Sequence, residues 1–189
     1  MPKHRKHAPE TDVAQMQYDI GLGEVRYHPL FAPLAARAWI LPDREHRYCP
    51  SNGRAVVDSH GTIYCNTLQR IAPAEWSFAI AHCLLHLGFG HFETARHDLA
   101  WNLACDCTVN SFLLSIKFGQ PGRLGLPAEF EGQSEERIYR RLTEDGIPTL
   151  LEDCGMAGPH GRDMVFLAPE EADPHQITWQ ATLAAGLQN

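Results

Sequence analysis

The chain has 189 residues, 44% of them hydrophobic, which suffices for one domain with a proper core and does not demand two. Its 16 basic and 23 acidic residues give a net charge of −7, a balance unsuited to general phosphate-backbone binding, so we expect no nucleic-acid partner. The most apolar run, WSFAIAHCLLHLGFGHF, holds three histidines and two glycines and is too short to span a bilayer comfortably. No apolar stretch follows the basic start, so we expect no secretory signal and a soluble, cytoplasmic protein.

Residues 1 to 12, with the basic cluster KHRKH, read as a disordered tail; residues 13 to 189 read as a single domain. From Asp19 to Leu41 the pattern is mixed, and LFAPLAARAWIL fits a helix interrupted by Pro33. RYCPSNGR (47 to 54) is a loop. AVVDSHGTIYCN (55 to 66) is a hairpin, with Val56, Val57, Ile63 and Tyr64 as strand formers around the turn residues Asp58 to Gly61. A helix starts near Pro73, with Glu75 in its first turn, and weakens at Gly88 and Gly90. A second spans about Asp98 to Phe118 and stops at Gly119-Gln120-Pro121-Gly122. A third begins near Ser134, a good N-cap, and turns Ile138 and Leu142 inward. The stretch from 146 to 174 is rich in Gly and Pro and reads as a long loop. WQATLAAGL forms a last helix, and its abrupt stop at Asn189 suits a natural chain that continues further.

The six cysteines form no CxxC pair, and without a secretory signal they are expected as free buried thiols. The chemistry concentrates in AHCLLHLGFGH (81 to 91). His82 and His86 are four apart, so on a helix both imidazoles share one face and can hold one ion. Two satisfied core histidines would give the same spacing. Asp106, in WNLACDCTVN, is a lone carboxylate among apolar residues and cysteines, and an acid there needs a cation or several hydrogen bonds. His82, His86 and Asp106 together make a three-ligand zinc site with the fourth place open to water. Cys105 and Cys107 point to either side of Asp106 on a helix and are expected to pack, with ligation by one of them in place of Asp106 as the weaker alternative.

The combination of His82 and His86 in AHCLLH, His91, and Trp101, Asn102, Ala104, Asp106 and Asn110 in WNLACDCTVN resembles a family of bacterial metallopeptidase-like proteins. SEERIYRRL (134 to 142) and the hairpin before the first helix fit it too, so the resemblance covers about residues 50 to 145. It implies a zincin-like α+β fold, a small sheet with a hairpin packed on a metal-binding helix pair, and Zn2+ on the two histidines and Asp106. Members often carry a von Willebrand factor A-like domain downstream, a possible partner beside an unknown peptide or protein.

The departure is Cys83, at the position where the HExxH motif has its general-base glutamate. A cysteine is shorter by two heavy atoms and offers one polar atom in place of two. Three roles stay open for Cys83: a packing residue, a redox-sensitive or metal-contacting thiolate, or a catalytic group in a different reaction. The two functional readings are therefore a zinc-dependent hydrolase scaffold with an altered active site, and a non-catalytic metal-binding module derived from a peptidase. His91 is one residue out of register for a third histidine ligand and reads as a pocket residue behind the ligands. Glu75 and Glu93 are the carboxylates nearest to the motif in sequence.

Overall fold

The computed structural model describes residues 12–122, 128–151, 154–159, 161–167 and 179–188. Of the expected tail, 1 to 12, residues 1 to 11 lie outside them, while Asp12 is described. The first helix, α1 (Val13–Tyr27), is capped by Asp12, whose carboxylate accepts from the Gln15 N–H at 3.2 Å. Its buried residues Ala14, Tyr18, Gly21, Leu22 and Val25 recur at helical spacing. They lie against α3 (Pro73–Gly88), and the contact is close: a Cβ on Gly21 would stand 2.5 Å from the Trp76 Cβ. Only a residue without a side chain lets the two backbones approach that far.

Between them the chain differs from the single interrupted helix that the sequence suggested. Pro33 opens a short helix, α2 (Ala32–Ala35), because its fixed φ suits a first turn. The following Trp39, Ile40 and Leu41 then go into a strand, β1 (Trp39–Pro42), in which Ile40 alone faces inward. The expected hairpin is present as β2 (Ala55–Asp58) and β3 (Thr62–Cys65). Asp58 holds its turn by accepting from the backbone N–H of His60 and Thr62 at 3.0 and 2.8 Å.

Those strands belong to a four-stranded mixed sheet in the order β1-β3-β2-β4. β1 runs parallel to β3, and the two-residue β4 (Met164–Val165) runs parallel to β2 with Val57 opposite Met164. β4 lies within the segment that reads as a loop in the sequence. The sheet packs on α3, which is buried all the way from Trp76 to Gly88, and α4 (Leu99–Ser115) lies against that helix. The architecture is α+β, as expected. Asp98 caps α4 by accepting from the Trp101 N–H at 2.9 Å. α5 (Glu135–Asp145) adds Ile138 and Leu142 to a second apolar cluster with α4; Ser134 takes the N-cap position without a side-chain hydrogen bond. α6 (Trp179–Leu187) places Leu183 in the main core. Among the described residues no helix is long and apolar enough to cross a membrane.

Candidate metal centre

One turn of α3 separates His82 from His86, and their Nε2 atoms converge to 2.9 Å. α4 brings Asp106 to them: its Oδ1 lies 3.3 Å from His82 Nε2 and 3.2 Å from His86 Nε2. A fourth group completes the cluster. Asp163, just before β4, has Oδ2 3.0 Å from His82 Nε2 and Oδ1 3.7 Å from His86 Nε2. All four side chains are fully buried, and one ligand atom from each lies within 4.8 Å of the others. A tetrahedral ion with bonds of about 2.0–2.1 Å sets its ligand atoms about 3.3 Å apart. The observed separations scatter around that edge, so the donor set fits a small divalent ion.

Each donor is aimed by a partner behind it. Asn110 Oδ1 lies 2.9 Å from His82 Nδ1, so the ring donates there and its Nε2 is left for the cluster. The amide of Asn110 donates in turn to the Cys154 carbonyl at 2.9 Å. Asn102 bridges the acids, donating from Nδ2 to Asp106 Oδ2 at 2.8 Å and to Asp163 Oδ1 at 2.9 Å. Asp163 also accepts from the Met156 N–H at 2.8 Å, while its own carbonyl accepts from the Val57 N–H at 2.7 Å. Segments far apart in sequence therefore fix this one residue. Gly155 leaves room for the acids: a Cβ there would stand 2.6 Å from Asp106 Oδ2.

Without an ion, protons carry the attraction. Burial disfavours charge on the His82 ring, but hydrogen bonds to Asp106 and Asp163 outweigh it and raise its pKa to about 10. Burial disfavours the Asp163 carboxylate too, yet the facing histidines and the Met156 N–H hold it well below the usual carboxylate range. A divalent ion would take the place of these protons.

Cys83 sits beside His82 in the main apolar core, fully buried. Burial, with the Asp163 charge adding to it, pushes its thiol well above the ordinary value, so it stays protonated and neutral. Cys105 packs with Trp101 and Met164, and Cys107 belongs to the cluster beneath α5. His91 leaves the cluster's inner ring: its Nδ1 lies 2.9 Å from His86 Nδ1 and its backbone carbonyl accepts from Trp101 Nε1 at 3.2 Å. Burial and the two neighbouring histidines push its pKa well below the ordinary value. Glu75 is held away from the site by Arg54 at 3.2 Å and by the Ala72 N–H at 3.1 Å; Glu93 accepts from Gln180 at 3.1 Å.

A family described as "Putative metallopeptidase domain" matches residues 23–184. The chain belongs to this family. No curated protein and no solved structure matches the chain. The match covers every residue of the cluster, so the metallopeptidase domain holds His82, His86, Asp106 and Asp163 as one buried group that could bind a metal. Sequence reasoning brought the first three together and left the fourth place to water. Asp163 faces that place. Its one local signal is an acid immediately before an apolar Met-Val-Phe run inside a Gly- and Pro-rich stretch.

Proposed function

We propose that this protein is a zinc-binding member of the metallopeptidase family whose centre is closed and holds the fold together without hydrolysing peptides. The carrying observation is the buried four-donor set of His82, His86, Asp106 and Asp163. Four protein ligands fill a tetrahedral shell, the pattern of structural zinc sites, whereas hydrolytic centres keep one position open. When bound, zinc would supply a +2 charge against the two carboxylates and couple α3 and α4 to the β4 edge of the sheet. His82 and His86 would hold it through Nε2, with Asn110 and His91 orienting the rings; Asn102 would keep both carboxylates turned inward.

The second support is the general-base position. A protonated, fully buried Cys83 offers no acceptor for a proton from water. The test is elemental analysis of the purified protein beside His82→Ala and Asp106→Ala, with the visible spectrum of the cobalt-substituted form. We expect about one zinc per chain, lost in both variants, an intense tetrahedral cobalt spectrum, and no cleavage of general peptide substrates. A five- or six-coordinate cobalt spectrum, or zinc-dependent peptide cleavage abolished by the same variants, would overturn the closed-centre reading.

A further inference from the structure

A fully buried centre needs a way in for its ion. Beside it lies a cavity of about 440 Å3, lined among others by His91, Glu93, Arg96, Trp101 and Glu135. Its charges are unbalanced. Arg96 is engaged by Glu136 at 2.6 Å and stacks over Trp101 and Tyr139 at 5.0 and 4.7 Å from the ring centres. Glu93 and Glu135 have no cationic partner among the described residues. The cavity thus presents net negative charge to solvent, with Glu93 exposed and Glu135 half-buried.

His91 joins the cavity to the cluster. It is buried to 3% exposure, its Nδ1 contacts His86, and its other ring nitrogen, Nε2, is buried with no hydrogen-bond partner among the described residues. An unpartnered buried nitrogen is costly, and a cation arriving from the cavity would give it a partner. A hydrogen on His86 Nε2 would meet Asp106 Oδ1 at 3.2 Å when no ion is there. In that tautomer His86 Nδ1 accepts from His91, and His91 Nε2 keeps its lone pair, the form that binds a cation.

Taking the four-residue cluster as a metal centre, we propose that this cavity is the route by which a divalent cation is loaded: Glu93 and Glu135 gather the ion at the mouth, and His91 Nε2 holds it transiently before it passes to His86. No bond of the chain is made or broken, and the ion displaces a proton from the cluster to solvent. The route belongs to the barrier between free and bound ion, so weakening it slows loading and release alike.

The test follows cobalt uptake by chelator-stripped full-length protein in stopped flow, then release into excess chelator. The variants are Glu93→Gln/Glu135→Gln and, as a control of equal charge change, Glu131→Gln/Glu144→Gln at exposed positions outside the cavity. Steering by a charged cleft is worth about 10- to 1,000-fold in rate, so we expect the cavity variant to load roughly tenfold more slowly at low salt. Release slows in similar proportion, Kd stays within about twofold, and the difference shrinks as salt rises. Glu135→Gln alone gives a partial effect. Loading at the parent rate, or equal slowing in the control, overturns the route while the centre stands. A parent protein that takes up no cobalt overturns the centre itself, and the route with it.

Discussion

Replacing Asp163 by asparagine removes one of the cluster's two carboxylates and keeps the size of the side chain. Structural zinc sites bind with about 10–16 kcal/mol, or about 2.5–4 kcal/mol for each of four ligands. At 1.4 kcal/mol per decade, Asp163→Asn should weaken zinc about 100- to 1,000-fold. The amide has a second cost that does not involve metal. Oδ1 and Oδ2 both accept, from Asn102 Nδ2 and the Met156 N–H, so either orientation of an asparagine sets its NH2 against a donor. That costs about 1–3 kcal/mol in the ion-free protein as well. The informative quantity is therefore the gap between loaded and stripped forms. With zinc at about 1,000 times the parent Kd, the parent gains about 4 kcal/mol; the variant gains roughly 0.4–1.4. At about 2–4 °C per kcal/mol for a domain of this size, the zinc-induced rise in Tm shrinks by about 5–15 °C. Calorimetry of both forms, with chelator competition for Kd, reads this directly. An unchanged zinc Kd would remove Asp163 from the ligand set and reopen the fourth position.

Gly155→Ala should lower zinc affinity about 10- to 100-fold by pushing a methyl against the Asp106 carboxylate, while Gly23→Ala, with nothing within 4 Å of its Cβ, should bind zinc normally; equal affinities would show that the acids have slack. Cys83→Glu should lower Tm and create no peptidase, because the new carboxylate enters a filled apolar core; zinc-dependent cleavage by this variant would contradict the closed centre. The stripped protein should lose stability as pH rises from 6.5 through about 10. His82 has its folded value raised from 6.5, so its contribution is fully present below 6.5 and disappears through the folded value. Asp163 works the other way, contributing above its unfolded value near 3.8 and losing that as the medium becomes more acidic. A Tm of the stripped protein that stays flat from pH 6.5 to 10 would contradict the proton-held cluster, and zinc affinity should climb across the same range.

The hairpin and the two central helices were legible because their signals are local. Strand-forming residues flank a turn at 58 to 61, Pro73 and Glu75 mark a helix start, and His82 and His86 share a face by spacing alone. α1 was less so: Ala14, Tyr18, Leu22 and Val25 keep helical spacing, but Gly21 and Gly23 interrupt the pattern, and the reason for Gly21 is the Trp76 Cβ and the Pro73 carbonyl on a helix far along the chain. β4 carries no pattern at all, since two residues cannot show a period, and its place is fixed by Val57 on the neighbouring strand, far away in sequence. Asp163 was missed for that reason.

A charge argument could have asked for it all the same. A divalent ion on two neutral imidazoles and one carboxylate leaves a net charge of +1, and in a core where every donor is fully buried that charge has no water to meet it. An open water position could spread the charge only if the site reached solvent. With Cys83 neutral and the site sealed, a second carboxylate is the group that brings the sum to zero. Among the acids of the Gly- and Pro-rich stretch, the one that stands directly before an apolar run is Asp163. In the closed-centre reading Cys83 and Asp163 are thus linked by electrostatics: a closed centre has no water proton for a base to take, and its buried ion needs the second carboxylate to bring the charge to zero.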